Sequence, residues 1–267
     1  MSAPGETEAP AGETARPVPW TGPAARRTLL RRFAVAAAVA LVLSVTAGGA
    51  YALLRPQADL SRLARGIAAR EPLRIVAFGS SSTQGVGASS PAASYPARLE
   101  ETLRRALPEG AGDVTVINRG IGGEAIEEML ARLDRDVLAA QPHLVIWQTG
   151  SNDPMRGVSL ERFREGTVAA IRRIREAGID VILMEPQWCP KLDGVPGAYR
   201  FRDAVREIGV AEDVPVIRRF ALMQDWIAQS RVSHAELLAP DGLHMGDAGY
   251  RLLAEAAAAE ILRDVEP

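Results

Sequence analysis

Three observations predict an α/β chain built as a three-layer, doubly wound, mainly parallel five-stranded sheet, preceded by one apolar N-terminal helix. From Glu71 onward, short apolar runs alternate with longer amphipathic stretches. The runs are continuously apolar rather than alternating, as expected of strands whose two faces are both covered by helices. Polar, glycine-rich motifs follow these runs, at the strand ends where active residues gather in such folds. The chain has 267 residues and is 47% hydrophobic, enough to bury one sizeable core.

The elements follow in order. Residues 1–25 are rich in Pro, Ala, Gly, Thr and Glu and lack the apolar content to offset chain entropy, so they read as a disordered cytoplasmic tail. Residues 26–54 combine a basic flank with an uncharged stretch, Phe33 to Leu54, of 22 residues. As a helix that stretch rises about 33 Å, enough to span a bilayer. Arg26, Arg27, Arg31 and Arg32 precede it and Arg55 alone follows it, which by the positive-inside rule keeps the N-terminus in the cytoplasm and exports the rest. The expected location is therefore the inner membrane, as a single-pass signal-anchor protein with its remaining domain extracytoplasmic. A cleaved signal peptide is the alternative, with Ala50-Tyr51-Ala52 as a small-x-small cleavage site. Residues 55–70 read as a short amphipathic linker, and residues 71–267 as the domain proper. Its strands are expected at 74–78, 114–118, 144–148, 180–185 and 214–217. Its helices are expected at 94–107, 124–139, 160–177, 198–209, 220–230 and 247–263.

Composition narrows the function. A formal net charge of −2 gives no reason to expect a nucleic-acid partner. One cysteine, Cys189, allows neither an intrachain disulfide nor a thiolate metal cluster. Any histidine-dependent mechanism must choose among His143, His234 and His244.

Four motifs carry the chemistry. Gly79-Ser80-Ser81-Ser82-Thr83-Gln84-Gly85 follows the first strand, Asn118 to Ala125 ("NRGIGGEA") the second, and Thr149 to Pro154 ("TGSNDP") the third. Asp241 and His244 lie in "APDGLHMGDAGY" before the last helix. A carboxylate three residues before a histidine, in an Asp-Gly turn, can fix one ring nitrogen and free the other to take a proton from a hydroxyl. Each motif also has a plain reading as a turn or cap. The serine loop alone is compatible with a flavodoxin-like phosphate site, although no Walker lysine follows it and no G-x-S-x-G elbow occurs in the chain. Gly120, Gly122 and Ala125 match the dinucleotide pattern G-x-G-x-x-A, but no strand-end acid follows at the required distance.

In their order, these motifs resemble those of the SGNH (GDSL-type) hydrolase family, over essentially all of residues 71–267. The resemblance implies a flavodoxin-like SGNH hydrolase fold and a serine esterase that needs no metal or cofactor. It implies Ser81 as nucleophile, Asp241 and His244 as acid and base, and an oxyanion hole formed by Ser81, Gly123 and Asn152. Ser80 stands where the family usually has Asp, which leaves the mechanism intact but alters the polar network around the loop. Asp153 is expected to hold its turn, His143 to be structural, and His234 to be a solvated surface residue. Cys189 reads as a buried thiol without a catalytic task. Gln187 and Trp188 are expected beside the substrate cleft, or packed in the case of Trp188. An exported esterase implies acyl or acetyl esters on cell-wall or extracellular glycans, or lipid-derived esters, as substrates. The rival readings are a phosphate or nucleotide binder, which leaves Asp241 and His244 unexplained, and a catalytically silent carbohydrate-binding relative.

Overall fold

The computed structural model describes residues 60–107 and 112–263. The tail, the basic flank and the Phe33–Leu54 stretch lie outside the described residues, and among those described no helix is long and apolar enough to cross a membrane.

Five parallel strands form one sheet: β1 (Leu73–Gly79), β2 (Val114–Gly120), β3 (Leu144–Gln148), β4 (Asp180–Met184) and β5 (Val216–Ile217). Their order is β2-β1-β3-β4-β5, so the chain starts near the middle and winds outward both ways. β1 and β3 are adjacent, with Ala77 opposite Ile146, and this juxtaposition brings the serine loop beside the "TGSND" turn. The fifth strand is shorter than its apolar run. Pro215 has no N–H to offer the ladder, so only two residues of this edge strand pair fully.

Side chains alternate between two cores along each central strand, which explains why the runs read as continuously apolar. Ile75, Ala77, Leu144, Ile146, Ile182 and Met184 face one side. There they meet Tyr95, Leu99 and Leu103 of α3 (Tyr95–Ala106) and Tyr250, Leu253 and Ala257 of α10 (Asp247–Arg263). Val76, Phe78, Val145, Trp147, Val181 and Leu183 face the other side. They pack on α4 (Ile126–Asp136), α5 (Leu160–Glu176) and α7 (Ala198–Ala211). Each large side chain so buried contributes about 1.5–3 kcal/mol relative to exposure. Two helix starts carry side-chain hydrogen bonds, one local and one from 158 residues away in the chain. Ser159 caps α5, its Oγ accepting the Arg162 N–H at 3.1 Å, and Ser89 donates its N–H and Oγ to Asp247 at the start of α10.

The stretch expected to be a linker contains a packed element. Residues Ser61–Ala68 form α1, with Leu60 and Leu63 buried. The Asp180 carboxylate, at the N-terminal end of β4, accepts the N–H groups of Leu63 (2.8 Å) and Arg62 (3.4 Å), capping α1 from 117 residues away in sequence. The remaining helices are the short α2 (Ser81–Gln84), α6 (Pro190–Asp193) and α9 (His234–Leu237), and the longer α8 (Arg219–Ala228).

Candidate active site

The serine loop leaves β1 at Gly79. The Ser80 N–H and Oγ both donate to Gln148 Oε1, at 2.9 and 3.0 Å, and Thr83 Oγ1 approaches the same oxygen at 3.3 Å. A Cβ at Gly79 would lie 2.4 Å from Thr83 Oγ1 and 2.9 Å from Gln148 Oε1, so only glycine lets the loop close over this glutamine. Ser80 and Thr83 are buried over this glutamine, and Ser82 is buried as well. Ser81 opens α2, half-buried, and as the first residue of a helical turn its N–H has no acceptor within that turn.

The histidine arrives from the far end of the chain. In the turn before α10, Asp241 Oδ1 accepts the N–H groups of Leu243 (2.9 Å) and His244 (3.0 Å), while Oδ2 meets His244 Nδ1 at 2.5 Å. His244 Nε2 lies 2.8 Å from Ser81 Oγ, across 163 residues of sequence. With Nδ1–H donated to the carboxylate, Nε2 is the acceptor for the serine hydroxyl. Burial alone would raise the Asp241 carboxyl. The hydrogen bonds from the His244 ring and from the two backbone N–H groups outweigh it and hold Asp241 at about 2. The carboxylate therefore stays charged and supports a positive imidazole beside it.

The glycine turn forms the third side. Gln84 Oε1 accepts the Gly122 N–H at 2.9 Å, and a Cβ at Gly122 would lie 3.7 Å from Ser81 Cβ, so the turn adjoins the serine. Gly123 has φ +80°, which places its peptide in a conformation that disfavours other residues, and Arg156 donates to its carbonyl at 3.1 Å. Asn152 joins this turn from β3: its Nδ2 donates to the Glu124 carbonyl at 2.8 Å. One of its two amide protons is thus already engaged, which leaves the other for the oxyanion role that the resemblance implies. Asp153 holds the N-terminus of α4, its Oδ1 accepting the Ile126 N–H at 2.9 Å. Burial, only partly offset by backbone hydrogen bonds, pushes the Asp153 carboxyl up to about 6.

The structure thus brings Ser81, His244 and Asp241 into direct contact, with Gly123 in the adjoining turn and Asn152 tied to that turn. His143 sits at the opposite end of the sheet, its Nδ1 accepting the Arg74 N–H at 3.1 Å. His234 is exposed and its ring meets Trp188 edge-on at 5.2 Å between centroids. Cys189 is buried, and burial pushes its thiol up.

One expectation is corrected. Gln187 does not line the cleft. It is 2% exposed and its amide is spent on Ser151, Arg219 and the Leu243 carbonyl. Several supporting residues escaped the sequence reading altogether. Arg132 is 4% exposed and binds the carbonyls of Gly79 and Arg119, both at 2.9 Å, with Glu124 at 2.6 Å and Asp136 at 2.9 Å, so it clamps the ends of β1 and β2. The one available signal was its register: three residues after Met129 and beside Leu133, Arg132 falls on the apolar face of α4. Gln148 and Arg219 gave no comparable sign.

A family model described as the Non-GDSL lipase-like family matches residues 47–266. An arylesterase of Vibrio mimicus is 27% identical over 170 residues, covering 64% of this chain and 79% of the relative. The structure of a lipase/acylhydrolase from Enterococcus faecalis superposes with a TM-score of 0.60 at 29% identity, covering 71% of this chain and 95% of that one. A two-domain esterase active on acetylated mannans gives 0.64 at 25% identity, covering 79% of this chain and 54% of that one.

Proposed function

We propose that this chain, which belongs to the Non-GDSL lipase-like family within the SGNH/GDSL hydrolases and is an ester-hydrolysing enzyme, is a membrane-anchored extracytoplasmic esterase working through Ser81, His244 and Asp241. The observation that carries the mechanism is the contact chain Ser81 Oγ to His244 Nε2 to His244 Nδ1 to Asp241, at 2.8 and 2.5 Å. A serine hydroxyl is a poor nucleophile until a base removes its proton. His244 takes that proton as Ser81 Oγ bonds to the ester carbonyl carbon, and the imidazolium formed is stabilised by the Asp241 carboxylate. The Ser81 and Gly123 N–H groups and the Asn152 amide receive the negative charge that develops on the carbonyl oxygen. His244 then protonates the leaving alkoxide. Water, losing its proton to His244, attacks the acyl-serine and releases the acid and the free hydroxyl of Ser81.

The substrate is a carboxylic ester presented outside the cytoplasm. Ile121 and Met155, each 41% exposed, stand two and three residues from Gly123 and Asn152 and offer apolar contact to an acyl or aryl group. The arylesterase and acetylated-mannan esterase relatives support small acyl groups on an aromatic or glycan alcohol. The test combines a panel of p-nitrophenyl and acetylated-sugar esters with a phosphonate ester probe. Turnover should fall with acyl length, and peptide mapping should find the probe on Ser81 alone. Labelling that survives Ser81→Ala in folded protein would overturn the assignment. For location, added protease should digest the domain in spheroplasts, and protection would refute export. An N-terminus near Leu53 in the mature protein would mean a cleaved signal rather than an anchor.

A further inference from the structure

Beneath the site, four buried side chains form one continuous hydrogen-bond chain. Gln148 Oε1 accepts from Ser80, and Gln148 Nε2 donates to Ser151 Oγ at 3.2 Å. Ser151 Oγ donates to Gln187 Oε1 at 3.0 Å, and Gln187 Nε2 donates to the Leu243 carbonyl at 3.3 Å. Arg219 Nη2 also donates to Gln187 Oε1, at 2.7 Å, and its Nε is held by the Glu185 carbonyl at 3.1 Å. Gln148, Ser151, Gln187 and Arg219 are each no more than 4% exposed.

The direction of this chain has no alternative. The Ser80 backbone N–H and the Arg219 guanidinium can only donate, so each fixes which end of its glutamine amide is oxygen. Gln148 must then present N–H to Ser151, whose own proton is left for Gln187. Gln187 must in turn present N–H to Leu243. The Leu243 carbonyl shares a peptide unit with the His244 N–H, which Asp241 Oδ1 accepts at 3.0 Å. That peptide is therefore held on one edge by Gln187 and on the other by Asp241, and its plane sets where the His244 ring projects. At the opposite end, the same chain seats the loop that carries Ser81.

We infer that Gln187 is a positioning residue that keeps the base-bearing loop in register with the nucleophile loop, acting as the last link of the Gln148–Ser151–Gln187 chain anchored by Arg219. The inference rests on the Ser81–His244 mechanism proposed above. It accounts for a buried glutamine just past β4 that touches no reacting atom. A misplacement of the base by about 1 Å can cost on the order of 100-fold in rate, whereas binding of an ester at the surface depends little on it.

The experiment uses the full chain and p-nitrophenyl acetate, with circular dichroism to confirm folding. Gln187→Met should lower kcat by about 10- to 100-fold with KM nearly unchanged. Gln187→Glu keeps an acceptor for Ser151 and Arg219 but sets a second acceptor against the Leu243 carbonyl. It should lose at least as much, and it provides the readout should the methionine variant fold poorly. Ser151→Ala should cost several-fold alone and add nothing to Gln187→Met, because two cuts in one chain do not multiply. A wild-type kcat in Gln187→Glu, or losses that multiply in the double variant, would overturn the inference while Ser81→Ala and His244→Ala remain inactive. Activity retained in those two variants would instead remove the mechanism itself, and the inference with it.

Discussion

The two ends of the sheet use buried hydrogen bonds for different purposes. At the N-terminal end, Asp180 caps α1 and His143 accepts the Arg74 N–H, so side chains there satisfy backbone groups that folding would otherwise strand. At the C-terminal end, Gln148, Ser151, Gln187 and Arg219 also bond side chain to side chain, in a chain that runs from the Ser80 loop to the Leu243 carbonyl. A buried polar network offers little net stability and is costly when incomplete. Among the described residues, this chain of side-chain bonds joins the loops that carry Ser81 and His244 and so serves their geometry, whereas Asp180 and His143 serve the backbone at the other end.

The largest expected effect sets a histidine from each end against the other. His244→Ala should lower kcat by on the order of 10⁴-fold or more with little change in melting temperature. His143→Ala should leave kcat near wild type and lower unfolding free energy by about 1–3 kcal/mol, since the Arg74 N–H loses its acceptor. Steady-state kinetics beside urea melts measure both, and a reversed pattern breaks the comparison.

Asn152→Ala comes next. Loss of an oxyanion donor should cost about 3–4 kcal/mol of transition-state stabilisation, seen as a fall in kcat. If only stability falls, Asn152 serves the Glu124 carbonyl alone.

Asp180→Ala sharpens the other end. Removing the cap of α1 should lower unfolding free energy by about 0.5–2 kcal/mol at unchanged kcat. Faster proteolysis within residues 61–68 would locate the loss, and a fall in kcat would show the two ends to be coupled.

The last comparison is a difference in sign between two carboxylates. Asp153 titrates at about 6 in the fold, above its ordinary 3.8. Between those values the folded protein holds a proton that the unfolded chain releases, so this group's contribution to stability declines as pH rises from about 4 to 6. Asp241, held at about 2, does the opposite: its contribution is present above 3.8 and is lost as pH falls toward 2. Asp153→Asn should flatten the decline between pH 4 and 6 in urea midpoints, and an unaltered slope would count against a buried, protonated Asp153.

Much of this molecule was legible from the chain alone because the relevant signals are local. Apolar runs bounded by turn residues marked all five strands, and periodicity placed the last helix at residues 247–263, as observed. Asp241 and His244 could be paired from their spacing because both sit in one short turn, where Oδ1 caps the backbone and Oδ2 meets the ring. The order of the four motifs chose that reading over a plain turn. What only the tertiary structure decided are relations between residues far apart in the chain. The α1 stretch looked like a linker because its cap, Asp180, lies on β4. Gln187 looked like a cleft residue because a glutamine in a loop carries no sign of burial until Ser151, Arg219 and Leu243 close around it. Asn152 could be assigned a donor role from its motif, but the engagement of one of its protons by Glu124 depends on how the β2 and β3 loops meet. Hydrophobic period and turn chemistry are written into neighbouring residues, whereas the satisfaction of a buried polar group is a property of whichever distant strand ends the sheet brings together.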